Sequence, residues 1–113
     1  MTDELERVVM LQRLDPDRVE EYLDAHEHVP EAVSAAMDRG GVKAFRLFVR
    51  DDISVAYIEV EDFASFNREY MNDPDCQDWE DHVAAFKLSG VDVESGDMPL
   101  MDEVWTFERV EGE

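Results

Sequence analysis

The chain has 113 residues and a mass of 13.1 kDa, a length that holds one hydrophobic core, so residues 1–113 are read as one domain. Hydrophobic residues make up 44%, enough for that core, yet the apolar runs are only a few residues long, far below the roughly 18 to 20 that span a bilayer. Thirty acidic against ten basic residues leave a net charge of −20, which repels nucleic acid and anionic membrane surfaces alike.

Only Lys43 and Lys87 are lysines; the other eight bases are arginines. High acid with little lysine resembles the composition of cytoplasmic proteins from salt-loving cells. High net charge is also a signature of disorder. Here the acids are interleaved with regularly spaced apolar positions, which predicts a folded chain. The acidic start, Met1-Thr2-Asp3-Glu4, lacks the positive region and apolar stretch of a signal peptide, so a cytoplasmic location is expected. The single cysteine, Cys76, excludes an intramolecular disulfide and any multi-cysteine metal site.

Glu6 to Leu14 reads as a first strand around the run Val8-Val9-Met10-Leu11. Asp15-Pro16-Asp17 predicts a helix start, with Asp15 as N-cap and Pro16 in the first helical position. Val19, Tyr22, Leu23 and His26 follow at i, i+3, i+4 and i+7, one helical face turned toward protein. Pro30 breaks that helix near His28, and Val33, Ala36 and Met37 continue a helical face up to Gly40-Gly41. Val42 to Val49 and Ile53 to Val60 read as two strands of a hairpin turning at Arg50-Asp51-Asp52. Asp62 or Ser65 caps the next helix, with Phe63, Phe66 and Tyr70 at helical spacing. Asn72-Asp73-Pro74-Asp75 interrupts it. A further helix carries Trp79, His82, Val83 and Phe86. Ser89 to Met98 reads as a loop, and Glu103 to Val110 as the last strand.

The order is strand, helix pair, strand, strand, helix pair, strand. This is the α+β, ferredoxin-like β-αα-β-β-αα-β pattern, a four-stranded antiparallel sheet with helices on one face. The strands carry apolar groups in both phases: Val8 and Met10 alternate with Val9 and Leu11, and Phe45 and Leu47 with Ala44 and Phe48. A solvated face would be polar at every second position. The second sheet face is therefore expected to pack on another copy, giving a homodimer.

Tyr22 and His26 stand four apart on one helix and point the same way. A phenol beside an imidazole can bind a polar ligand and move a proton near neutral pH; the plainer reading is a partly buried pair satisfied by backbone groups. His26 and His28 fall on different faces with no third ligand near in sequence, so no metal site is expected. His82 reads as structural or exposed, and Cys76 as a small structural residue. The sequence has no phosphate loop, nucleophile elbow or dinucleotide fingerprint.

Six segments in order resemble the L-rhamnose mutarotases. Val9-Met10-Leu11-Gln12 is similar to the family's first strand, and Glu21-Tyr22-x-x-x-His26 to its Glu-Tyr-x-x-x-His helix. Val29, Val33 and Gly41-Val42 keep the downstream spacing. Ala56 to Glu61 resembles the third strand. Cys76-Gln77-Asp78-Trp79 resembles the Cys/Asn-Gln-Arg-Trp-Trp motif, and Leu100 to Trp105 the closing Leu-x-Glu-Val-Phe. The chain departs from the pattern in three places. Pro30-Glu31-Ala32 lacks the tryptophan of Trp-Pro-Glu, the tandem tryptophan becomes Trp79-Glu80, and Phe45 replaces a tyrosine of the second strand. Phe66 and Tyr70 are candidate replacement rings.

The resemblance implies a dimeric α/β barrel that interconverts the α and β anomers of a free monosaccharide, L-rhamnose or a related 6-deoxy aldose. Ring opening then needs one group to protonate the ring oxygen and another to take the proton of the anomeric hydroxyl, with no metal and no cofactor. His26 is the implied catalytic residue. Tyr22 would bind sugar hydroxyls or orient His26, Trp79 would pack on the apolar edge of the sugar, and Phe45 would line the pocket. The second proton-transfer group is not identified from sequence. A dimeric α/β-barrel monooxygenase, an isomerase of another substrate and a non-catalytic sugar-binding protein share the same pattern.

The charge makes a prediction of its own. At molar salt the Debye length falls to about 3 Å, which screens the self-repulsion of the compact state. The melting temperature is expected to rise steeply from low salt to molar potassium chloride. A flat or falling curve would reject the salt-adapted reading.

Overall fold

A computed structural model of the chain describes residues 5–90 and 98–109. Its first strand, β1 (Glu6–Leu14), lies inside the sheet. β3 (Ile53–Val60) runs antiparallel along one side of it, from Glu6 opposite Val60 to Arg13 opposite Ile53. β2 (Val42–Arg50) pairs with the far side of β3 and forms the outer edge. The β2–β3 hairpin turns through Asp51, whose φ of 53° lies in the left-handed region that Asp tolerates in tight turns.

The other side of β1 carries two short strands, and here the structure corrects the sequence reading. β4 (Lys87–Ser89) pairs with Arg13 and Leu14, and β5 (Leu100–Met101) pairs with Val9 and Met10. The described sheet therefore has five strands rather than four and is not closed. The expected last strand, 103–110, does not form: residues 102–109 pair with no strand, and Val110 lies outside the described residues. Alternation of apolar side chains reports which way they point, not whether an edge is free. β1 has already given its edge to 87–89 and 100–101. Residues 102–109 run on with Val104, Trp105 and Phe107 at 90%, 79% and 75% exposure, beside an Arg7–Glu108 ion pair. Of the expected 89–98 loop, Ser89 belongs to β4 and residues 91–97 lie outside the description.

α1 (Val19–Ala25), a 3-10 turn (His26–His28) and α2 (Glu31–Arg39) form the first crossover, and α3 (Phe63–Asn72) and α4 (Pro74–Ala84) the second. The first helix starts later than expected. Asp15 does not cap it; the Asp15 carboxylate accepts from the Asp17 N–H at 3.0 Å and its carbonyl from the Arg18 N–H at 2.9 Å. The Asp-Pro-Asp segment is thus closed as a turn, with Pro16 in its second position, and α1 begins one turn on without a side-chain cap. Asp62, not Ser65, caps α3, accepting from the Ser65 N–H. Asp73 ends α3 and caps α4, accepting from the Asp75 N–H at 2.9 Å, with Pro74 in the first turn. Such a cap is worth about 1 kcal/mol, and it aims the helix that carries Trp79. Gly40 ends α2 where a Cβ would stand 2.5 Å from the Phe66 ring, so the α2–α3 approach depends on its missing side chain.

The helices cover one sheet face. Met10, Ala56, Ile58 and Val60 from the strands meet Val33 and Ala36 of α2, Phe66 and Tyr70 of α3, and Cys76, Trp79 and Val83 of α4. A second cluster of Leu14, Tyr22 and Phe86 closes the end of the sheet. Two polar side chains are buried among these strand residues: Gln12, 4% exposed, and Ser54, fully buried. The opposite sheet face presents Leu11 and Phe48, at 38% and 57% exposure.

Candidate functional site

A cavity of about 820 Å³ lies between the sheet and the helices, and His26, Tyr22, Trp79 and Phe45 all line it. His26 owes its position to the end of α1. The last carbonyls of a helix lack intrahelical partners. The His26 backbone N–H turns to the carbonyls of Leu23 and Asp24, and its Nδ1 lies 2.8 Å from the Tyr22 carbonyl oxygen. A carbonyl can only accept, so Nδ1 carries the proton and, in the neutral ring, Nε2 keeps its lone pair. The ring is held between aromatic neighbours: Tyr22 at 4.4 Å between centroids and Trp79 edge-on at 5.2 Å. Burial lowers the His26 pKa below 6.5; the Tyr22 carbonyl opposes this, Lys87 lowers it further and Glu80 raises it.

Tyr22 is buried, and its hydroxyl lies 3.0 Å from Ser54 Oγ on β3. Burial pushes its pKa up, partly offset by the Ser54 contact. Leu23, expected on the same inward face, is 45% exposed and lines the cavity from the outer part of α1. Phe45 sits on the inner face of β2 opposite Ile58 and is 39% exposed.

The structure brings in further polar groups, of which sequence spacing singled out Tyr70 alone, as a ring. Lys87 Nζ donates to Gln12 Oε1 at 2.6 Å. The Tyr70 hydroxyl donates to Glu80 Oε2 at 2.8 Å. Burial raises the Tyr70 pKa and the Glu80 charge adds to it, so this phenol stays protonated. Burial lowers the Lys87 pKa below 10.5, with Glu80 opposing. Asn67 Oδ1 is buried with no hydrogen-bond partner. All of these residues line the same cavity. Glu80 stands where the tandem-tryptophan motif has its second ring. A signal for two of the sheet contacts was present: Gln12 follows Met10 and precedes Leu14, and Ser54 precedes Ala56 and Ile58, on the buried phase of their strands. A polar residue on that phase needs a partner. Lys87, Glu80 and Asn67 carry no comparable sequence signal.

The other candidates fall outside the cavity. His28 is exposed, and His82 is exposed against the rings of Trp79 and Phe86. Cys76 is buried, and burial pushes its thiol up to about 11, which makes it an inert core residue. Among the described residues, no three His, Cys, Asp or Glu side chains gather as a metal site requires, and no helix is long and apolar enough to cross a membrane.

The profile of the L-rhamnose mutarotase family matches residues 7–107. The chain belongs to that family. Its members are isomerases that exchange sugar anomers, and the chain is a mutarotase-type isomerase by that membership. Among solved structures, an L-rhamnose mutarotase from Formosa agariphila is similar with a TM-score of 0.74 at 17% identity, covering 91% of this chain and 99% of that one. Tetracenomycin F2 cyclase from Streptomyces glaucescens is similar with a TM-score of 0.64 at 18% identity, covering 93% and 99%. An antibiotic biosynthesis monooxygenase follows with 0.59 at 19%, covering 87% and 97%. At these identities the structural likenesses show the ferredoxin-like fold alone. No curated protein sequence matches the chain.

The electrostatics of the cavity can be read at His26. Its imidazole, followed by NMR against pH, is expected to titrate with a midpoint below 6.5. Glu80→Gln removes a charge that favours the imidazolium and lowers the midpoint further, whereas Lys87→Met removes a charge that opposes it and raises the midpoint. Unchanged midpoints in both variants would show that neither charge acts on the ring.

Proposed function

We propose that the chain exchanges the anomers of L-rhamnose or a related 6-deoxy aldose in this cavity, with His26 as the catalytic proton-transfer residue. The observation that carries the assignment is the hold on His26: Nδ1 is committed to the Tyr22 carbonyl and the ring lies against Tyr22 and Trp79. The lowered pKa leaves the imidazole neutral at pH 7, so it can accept the proton of the anomeric hydroxyl as the C1–O5 bond opens. The aldehyde rotates about C1–C2, the ring closes on the other face, and the imidazolium returns its proton to O1. These are proton transfers, and the scheme uses no cofactor.

Tyr22 orients His26 rather than contacting sugar through its hydroxyl, which Ser54 occupies. Trp79 and Phe45 supply apolar walls for the C–H faces of the ring. The buried Asn67 Oδ1 is an acceptor ready for a sugar hydroxyl. General acid–base groups contribute about 10²- to 10⁴-fold, so His26→Ala is expected to slow anomer exchange, measured by saturation-transfer NMR on L-rhamnose, by at least about 10²-fold with an unchanged circular dichroism spectrum. Tyr22→Phe costs less, and Trp79→Ala mainly weakens sugar binding. Exchange by His26→Ala at the parent rate would make His26 structural.

The reading includes one domain over residues 1–113, a cytoplasmic location in a salt-loving cell and a homodimer packed sheet on sheet. The dimer is supported by Leu11 and Phe48 on the uncovered sheet face and by Val104, Trp105 and Phe107 beyond β5, apolar groups a second copy would cover. Sedimentation equilibrium in molar salt is expected to return twice the 13.1 kDa chain mass. A single-chain mass at micromolar concentration would overturn this assembly.

A further inference from the structure

Mutarotation needs an acid at the ring oxygen as well as a base at the anomeric hydroxyl, and the cavity holds a restricted set of protonated groups. Tyr22 is 1% exposed with its hydroxyl against Ser54. Tyr70 already donates to Glu80, whose negative charge holds the phenolic proton in place. Lys43 lies on β2 and is paired with Glu61 at 3.4 Å. Lys87 differs from all three. It lines the cavity, one hydrogen of its ammonium is spent on Gln12 at 2.6 Å, and among the described residues no carboxylate reaches it within ion-pair distance. Its side chain is also fixed in place. A Cβ at Gly90 would stand 2.7 Å from Gln12 Oε1 and 3.2 Å from Lys87 Cδ, so the backbone after β4 lies directly over the Lys87–Gln12 pair.

We propose that Lys87 is the second proton-transfer group, giving a proton to the ring oxygen while His26 takes the proton of the anomeric hydroxyl. This rests on the mutarotase reading of the same cavity. In the opening step the C1–O5 bond breaks, O5 takes a proton from Nζ, and the O1 proton passes to His26 Nε2. The open-chain aldehyde then faces an amine and an imidazolium. On closure, O5 attacks C1, its proton returns to Nζ, and His26 protonates O1. Both residues end as they began, and no oxidant or co-reactant enters.

The surroundings suit the task. Burial makes the ammonium a stronger acid than a solvated lysine. Glu80 from α4 favours its charged form, Gln12 from β1 holds it, Tyr70 from α3 occupies a Glu80 oxygen, and Tyr22 and His26 line the cavity from the α1 side. His26 and Lys87 titrate in opposite directions from useful states: the base is lost on acidification and the acid is lost on alkalisation.

The test is the pH dependence of anomer exchange on L-rhamnose, by saturation-transfer NMR, in the parent, Lys87→Met, Lys87→Arg and His26→Ala proteins. The parent is expected to give a bell, rising as His26 loses its proton and falling at a pH below 10.5 as Lys87 loses its own. Lys87→Met should lose at least about 10²-fold of the exchange rate together with the high-pH limb. Lys87→Arg keeps the charge but cannot release a proton in this range, and should be slow without the high-pH limb. Circular dichroism and sugar titration show whether each variant is folded and binds; if Lys87→Met does not fold, Lys87→Arg decides. Exchange at the parent rate, or a retained high-pH limb, in a folded Lys87 variant would overturn the assignment while leaving the mutarotase reading intact. A parent that exchanges no aldose anomers would overturn both.

Discussion

Two polar side chains on the floor of an apolar sheet position Tyr22, His26 and Lys87 above it. Gln12 and Ser54 are the buried polar residues of the described core, and each is bonded to a group that lines the cavity. An unpartnered buried polar group costs about 1 to 3 kcal/mol, so each of these two specifies its partner as well as tolerating it. Ser54 on β3 takes the Tyr22 hydroxyl, which anchors α1 to the sheet and sets the Tyr22 carbonyl on which His26 turns. Gln12 on β1 takes Lys87, which brings the start of β4 and its ammonium over the same cavity. The β1–β3 register puts Gln12 and Ser54 directly opposite one another, so one pairing of two strands places both anchors.

The charge of the molecule is divided by the same architecture. The net −20 is spread over a surface on which the ion pairs are exposed and individually worth little. Within the cavity the balance is different: Lys87 and Glu80 act on His26 with opposite sign. A glutamate in place of a second tryptophan exchanges apolar wall for field. It holds the Tyr70 hydroxyl and supports the charge of Lys87, where an indole would do neither. The pocket is therefore less aromatic and more polar than the family motif describes.

Family membership and fold likeness carry different weight in this molecule. The family profile runs from Arg7 to Phe107 and covers both the helix of His26 and the motif of Trp79. The likeness to a cyclase and a monooxygenase extends over as much of the chain but reports the sheet and its two helical crossovers. The same frame serves several chemistries because function resides in the side chains grafted onto it. In the proposed site those are an imidazole on a helix end between two rings, with an amine and a carboxylate lining the same cavity.

Much of this was legible in the chain. Apolar periodicity located β1, β2, β3 and all four helices, because burial of one face imposes a period of two or of about 3.6 on the residues themselves. The spacing of Tyr22 and His26 put both side chains on one helical face, and the breaks at Pro30 and at Asn72-Asp73-Pro74-Asp75 were visible as local chemistry. The errors arose where the outcome depended on what lay opposite. Asp15 carries the residue type of a cap, but its carboxylate turned to the N–H of Asp17 instead. Residues 103–109 carry a strand-like alternation, but no β1 edge received them. Lys87, Glu80 and Asn67 read as ordinary polar residues in a very polar sequence. Only the tertiary structure decided that they meet in one cavity, because a polar side chain's role is set by its partner, and the partners here lie as far apart in the chain as Gln12 and Lys87.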